Sequence, residues 1–181
     1  MSAIRAGAVS EGDNPRGSLV LAIWVDADSV PKDIRPLLLR RATAQRAYEG
    51  VRVDVRFVAA RALSDIPDSL LTVVEPGKGA ADAAIEERLA AADIVVTRDI
   101  PFAERVLTKG GLAINDRGET FTRENIAPRR SLRDAMASLR ELGIAPASPK
   151  GSRRSAADTK RFADGIERLI VRAVREKKRL R

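Results

Sequence analysis

The run Leu19-Val20-Leu21-Ala22-Ile23-Trp24-Val25 stops at Asp26-Ala27-Asp28, and Pro31 follows shortly after. An unbroken apolar stretch of this kind reads as a strand buried on both faces, the pattern of a parallel sheet. Parallel neighbours need crossover connections, usually helices, so this one stretch selects the α/β class. It also delivers two carboxylates to the end of the strand, the edge at which open α/β sheets bind their ligands. Asp26 and Asp28 are therefore either a turn or a site.

The rest of the chain fits that class. A first helix is predicted from Lys32 to Tyr48, with Pro36 in its opening turns and Gly50 as its C-terminal cap. Val51 to Val58 alternates with a period of two and predicts a second strand. Leu70 to Val74, Ile94 to Thr97 and Leu112 to Ile114 complete a set of about five strands. Helices are predicted over Ala80 to Ala91, after Gly77-Lys78-Gly79, and from Ile100-Pro101 to about Lys109. Asn115-Asp116-Arg117-Gly118 is a turn, with Glu119 to Thr122 as a hairpin partner. Ser131-Leu132-Arg133-Asp134 has capping-box spacing and opens a helix that ends at Gly143. Strands alternating with helices imply a central, mostly parallel sheet covered on both sides.

The flanks are of a different character. Residues 1–18 are polar and glycine-rich, without periodicity or the apolar core of a secretory signal, and read as disordered. A linker rich in Pro, Ser and Gly spans 146–157, leaving 19–145 as the α/β domain and 158–181 as a basic amphipathic helix. That helix carries Phe162, Ile166, Leu169, Ile170, Ala173 and Val174 on one face. From Ser148 onward twelve lysines and arginines face four acids, which accounts for the whole formal charge of +8. The tail either binds nucleic-acid phosphates or docks its apolar face on the body while its cations keep it solvated. With aromatics at 3%, base stacking is not the main mode of any such binding.

Composition narrows the chemistry. There is no histidine and no cysteine, so neither a Ser-His nor a Cys-His nucleophile can be built, nor a zinc site of Cys/His type. No apolar run approaches the roughly 20 residues of a membrane span, and a cytoplasmic location is expected. Carboxylates acting without histidine suit hard cations such as Mg²⁺ or Mn²⁺. Four acids occupy places where an α/β sheet presents functional groups: Asp26 and Asp28 after strand one, Asp82 in the first turn of a helix, and Asp99 after a later strand. Each has a structural reading too. Asp99 before Ile100-Pro101 is a good N-cap, Asp82 suits a helix dipole, and Asp28 or Ser29 fits the cap of helix one. Asp26 is the hardest to reduce to a turn residue. Gly77-x-Gly79 lacks the third glycine of a dinucleotide fingerprint, no Walker motif is present, and Glu86 and Glu87 read as a solvated face.

Ile23-Trp24-Val25-Asp26-Ala27-Asp28-x-x-Pro31, Ala81-Asp82 and Asp93-Ile94-Val95-Val96-Thr97-x-Asp99-Ile100-Pro101 resemble the bacterial YaiI/YqxD family, as do Ala113-x-Asn115-x-Arg117-Gly118, Phe121-Thr122, Arg133-Asp134 and Leu139-Arg140. The similarity runs from about Ile23 to Gly143. That family is similar to PIN-like domains, so the resemblance implies a PIN-like three-layer α/β/α fold and a Mg²⁺/Mn²⁺-dependent ribonuclease chemistry using clustered acids. The chain departs from the family pattern at Val30, where a cysteine is usual, at Gly79, Ala83 and Ala84 around Asp82, at Ala60 and at Asp116.

The expectation is metal-dependent phosphodiester hydrolysis, most naturally of RNA. Asp26, Asp28, Asp82 and Asp99 would serve as catalytic metal ligands, and Ser29, Thr97, Arg98, Asn115 and Arg117 as substrate contacts. Two alternatives stay open: a non-catalytic nucleic-acid or ribonucleoprotein-binding module using the basic tail, and a small-molecule phosphatase using the same acids.

Overall fold

The computed structural model describes residues 19–44, 47–144 and 155–181. The expected disorder over residues 1–18 and most of the expected linker lie outside them. The chain folds as β1 (Val20–Asp26), a short 3₁₀ turn (Lys32–Ile34), α1 (Arg35–Ala44), β2 (Ala47–Tyr48), β3 (Val51–Ala59), β4 (Leu71–Val73), α2 (Ala80–Arg88), β5 (Ile94–Val96), α3 (Ile100–Thr108), β6 (Leu112–Ile114), β7 (Thr120–Phe121), α4 (Arg123–Glu141) and α5 (Ala156–Arg179).

One mixed sheet has the order β2-β3-β1-β5-β6-β7, with β4 also paired to β3. The five strands expected from the sequence are β1, β3, β4, β5 and β6, and all their pairings are parallel. The sheet has seven strands rather than about five, because two-residue antiparallel strands, β2 and β7, are added to β3 and β6. After β1 the chain builds outward through β3 and β4, then returns through α2 to β5 on the other flank of β1. The strand order therefore reverses between β1 and β5, the place where such sheets open a crevice at their carboxyl ends.

Two apolar clusters cover the two faces. Leu21, Ile23 and Val25 of β1 and the odd-numbered side chains of β3 pack with Ile34 and Leu38 on one side. Phe162, Ile166, Leu169, Ile170, Ala173 and Val174 of α5 enter that same cluster. On the opposite face Val58, Val95 and Ala113 meet Ile85 of α2 and Phe102, Ala103 and Val106 of α3, with Phe121 and Ile126 at the edge. The C-terminal helix is thus part of the main core. Full burial of one large apolar side chain contributes roughly 1.5–3 kcal/mol, so the buried face of α5 supplies stabilisation comparable to the net stability of a typical domain. Lys177 strengthens the docking through an ion pair at 2.8 Å with the buried Asp93. Asp93 also accepts hydrogen bonds from the backbone N–H groups of Ala22 and Ala90, which joins α5 to the start of β5.

Three local expectations are corrected. The first helix ends at Ala44, and Tyr48 pairs with Val51 across Glu49-Gly50, both at positive φ (49° and 82°). Gly50 is therefore the second residue of a tight two-residue hairpin turn and not a helix cap. The fourth helix begins at Arg123 rather than behind Ser131, with Thr122 and Asn125 forming the capping box. It passes through Pro128 in its second turn, where the missing N–H removes a single helical bond. The final helix starts at Ala156, two residues before the expected Asp158, which instead completes a capping box with Ser155.

Candidate functional site

Asp26 is the last residue of β1 and is 3% exposed. Its carboxylate is held from two sides: the Thr97 hydroxyl donates to Oδ2 at 2.8 Å and the Ser29 N–H donates to Oδ1 at 3.2 Å. Thr97 is fully buried, and its hydroxyl also accepts the N–H of Asp99 at 3.1 Å. Because its single proton goes to Asp26, the 3.1 Å contact with Ser29 is one in which the serine hydroxyl donates. Ser29 Oγ in turn accepts the N–H of Arg98. The hydroxyls of Ser29 and Thr97 therefore tie the turn after β1 to the turn after β5 and fix the orientation of Asp26. Below this turn the buried Arg35 donates to the Ala27 carbonyl at 2.8 Å and to both oxygens of Asp65.

The other three aspartates reach the same place by different routes. Asp28 follows the strand and accepts the Ala60 N–H on Oδ2 at 2.7 Å. Asp99 is the N-cap of α3, with Oδ1 accepting the Phe102 N–H at 2.9 Å. Asp82 lies in the first turn of α2, behind Gly79, which adopts φ +74°. Asp26, Asp28, Asp82 and Asp99 all line one cleft of about 280 Å³, together with Ser29, Ala60, Gly77, Gly79, Ala80 and Ala81. The capping role of Asp99 and its place on the cleft are compatible, since a cap engages one oxygen.

The cleft is electrostatically loaded. Burial, followed by the charges of Asp26 and Asp99, pushes the Asp82 carboxyl up to about 6, against the opposing pull of Arg105. Arg105 of α3 bridges Asp82 at 3.3 Å and Glu86 at 2.9 Å. Sequence reading missed Arg105. The available signal was the spacing of Asp82 and Glu86, four residues apart on one helix face, an arrangement that calls for a counter-ion. Glu86 is also paired with Lys109, so it is held within this network and is not a loose solvated acid.

Carboxylate oxygens are the donor set preferred by a hard divalent cation. Among the described residues no group of three or more acids forms a ready-made metal cage. Mg²⁺ makes the smallest demand for such a cage, because it keeps several waters and binds through one or two carboxylates plus substrate phosphate. Asp28 Oδ1, Asp82 Oδ1 and Asp99 Oδ2 make no hydrogen bond among the described residues, and each Asp26 oxygen accepts one and keeps a second lone pair, so all four carboxylates retain capacity for such a role.

The remaining expected contact residues divide between two places. Ser29 borders the acidic cleft and Thr97 lies buried beside Asp26, whereas Arg98, Asn115 and Arg117 line a second cavity of about 300 Å³. Asn115 shapes its own turn, its Oδ1 accepting the N–H groups of Arg117 and Glu119 at 2.9 and 3.0 Å.

The uncharacterised YaiI/YqxD family of bacteria matches residues 24–172 of the chain. The chain belongs to that family. A UPF0178 protein of Geobacter metallireducens is 38% identical over 158 residues, covering 86% of this chain and 97% of the relative. A UPF0178 protein of Citrifermentans bemidjiense is 39% identical with the same coverage. One from Desulfotalea psychrophila is 40% identical over 155 residues, 84% of this chain and 99% of the relative. No solved structure matches the chain. The YaiI/YqxD match runs past Gly143 to Arg172, so it takes in most of the buried face of α5 along with the four aspartates.

Proposed function

We propose that the chain is a PIN-like, divalent-cation-dependent phosphodiester hydrolase that acts on RNA. The observation that carries this reading is the lining of one cleft by Asp26, Asp28, Asp82 and Asp99 at the point where the strand order reverses. Mutually repelling carboxylates in a half-enclosed site call for a cation, and the chain has no histidine to offer a different acid–base chemistry. The parallel order β4-β3-β1-β5-β6 with helices on both faces supports the PIN-like assignment.

In this reading Asp26, Asp28, Asp82 and Asp99 would hold the ion, Mg²⁺ or Mn²⁺. Bound there, the ion supplies Lewis-acid polarisation of a phosphate oxygen and a more acidic water. Thr97 and Ser29 keep the Asp26 carboxylate in a fixed orientation, and Arg35 keeps the turn after β1 from shifting. Asp82, whose carboxyl is pushed up to about 6, would offer Oδ1 to the ion while Oδ2 stays on Arg105. Arg105 thereby balances the charge of Asp82 before the substrate arrives.

The test is cleavage of a labelled single-stranded RNA in Mn²⁺. The parent should cut it, and Asp26→Asn and Asp82→Asn should each lower the rate by about 10²-fold or more. No cleavage by the parent, or equal cleavage by both variants, would overturn the hydrolase reading. A second reading, a non-catalytic RNA-binding module, draws on the outer face of α5, where Arg168, Arg175 and Arg179 are exposed. It predicts metal-independent RNA binding that charge-neutralising substitutions on that face abolish.

A further inference from the structure

Arg98 and Asp99 are consecutive in the β5–α3 turn, yet they border different cavities. Asp99 lines the acidic cleft, and Arg98 lines the neighbouring cavity of about 300 Å³. That second cavity has the opposite charge. Arg98, Arg117, Arg129 and Arg133 reach it from the β5–α3 turn, the β6–β7 turn and α4, against only two acids, Asp116 and Glu119. Both acids are engaged: Arg98 pairs with Asp116 at 3.4 Å, and Glu119 is held by Arg129 at 2.8 Å and by Asn115 at 3.1 Å. Two guanidinium charges remain in excess. Among the described residues Arg117 makes no ion pair within 4 Å and Arg133 pairs only with its exposed sequence neighbour Asp134, a contact worth little in water.

The cavity is also rigid and partly apolar. Asn115 locks the turn that carries Arg117, and Gly118 of that turn packs directly on the α5 backbone at Arg161 and Phe162. Leu132, 66% exposed, and Met136 form an apolar wall beside the arginines. A fork of guanidinium donors next to an exposed apolar surface suits a ligand with a phosphate and a flat apolar part. The acidic cleft repels phosphate until a cation is present, whereas this cavity attracts it without one.

We propose that the cavity between the β6–β7 turn and α4 binds a phosphorylated nucleotide unit of the RNA strand, its phosphate held by Arg117 and Arg133 without any metal. The proposal rests on the hydrolase reading for the identity of the strand, and it assigns the cavity the task of docking the nucleotide beside the one to be cut. The cavity adjoins the acidic cleft along the Arg98-Asp99 backbone, so one strand can occupy both.

The experiment is fluorescence anisotropy of a labelled single-stranded RNA octamer with the full chain in EDTA, repeated over a range of salt concentrations. The double variant Arg117→Gln/Arg133→Gln should bind at least tenfold more weakly than the parent, and its log–log salt slope should shrink by about one to two. Arg168→Gln/Arg175→Gln, which removes the same charge from the outer face of α5, should stay within about threefold of the parent. Equal weakening by both double variants, no weakening by the first, or no binding by the parent in EDTA would each overturn the proposal. Melting of every variant by circular dichroism confirms that the fold is kept. A Mn²⁺ melting titration of Arg117→Gln/Arg133→Gln separates the two readings. A parent-like Mn²⁺ shift with unweakened RNA binding removes the cavity proposal alone. Loss of RNA binding in a chain whose parent shows no Mn²⁺ shift removes the hydrolase reading and leaves the cavity as an RNA site.

Discussion

Asp82 is where the chemistry of the cleft and the stability of the fold oppose each other. Its carboxyl is pushed up from 3.8 to about 6, first by burial and then by Asp26 and Asp99. The folded chain therefore holds that proton more tightly than the unfolded chain does. Between about pH 4 and pH 6 the folded state binds more protons, so stability falls as pH rises through that window and is lowest above it. The effect is on the order of 2–3 kcal/mol at neutral pH. In EDTA, Asp82→Asn should raise stability at pH 7 by about 1–2 kcal/mol and flatten this part of the pH profile. Urea denaturation at pH 4, 5, 6 and 7 checks it, and a parent-like profile in the variant would contradict it. The four aspartates were legible in the sequence because each ends a strand or opens a helix, and such positions converge in a parallel sheet. The partners that orient them were not. Thr97 reads as a substrate contact in the sequence but is fully buried against Asp26, and Arg105 sits 23 positions from Asp82, so only the fold reveals that they act on the acids.

At the scale of elements, α5 and the β6–β7 turn depend on each other. Gly118 adopts φ +81°, and a Cβ on Gly165 would lie 2.5 Å from the Gly118 carbonyl oxygen. Gly165→Ala sets two effects against each other. Alanine favours a helix interior over glycine by about 1 kcal/mol, while forcing backbone apart in a packed core costs typically 1–3 kcal/mol. The clash here is against backbone, which cannot rotate away, so the net change should be destabilising by about 1–2 kcal/mol in chemical denaturation. A more stable variant would show that the turn yields freely. The apolar face of α5 was readable from the spacing of Phe162, Ile166, Leu169, Ile170, Ala173 and Val174, all of which are buried. Glycine and capping signals were less specific. Gly50 serves a hairpin, Ser131 stands within a helix, and the same residues suit either use until the partner strand or the preceding turn is known.

Over the whole molecule, charge and apolar burial are segregated by face. The sheet body before residue 148 is formally neutral, and the surplus of +8 lies in the C-terminal stretch. The two meanings considered for that stretch turn out to be separable by helix face. Its apolar side closes the core against β1 and β3, while Arg168, Arg175 and Arg179 point outward. Truncation at residue 156 would therefore open the core and says nothing about nucleic acid; substitutions confined to the outer face are the informative change. At the carboxyl ends of the strands, four carboxylates from β1, the turn after it, α2 and the β5–α3 turn line the proposed cation site. Thermal melting of the parent and of Asp26→Asn against a Mn²⁺ titration tests it without any choice of substrate. The melting temperature of the parent should rise with Mn²⁺, as expected for an ion that binds the folded chain alone, while Asp26→Asn should show a flat response. A flat response in the parent, or an equal rise in both proteins, would contradict it.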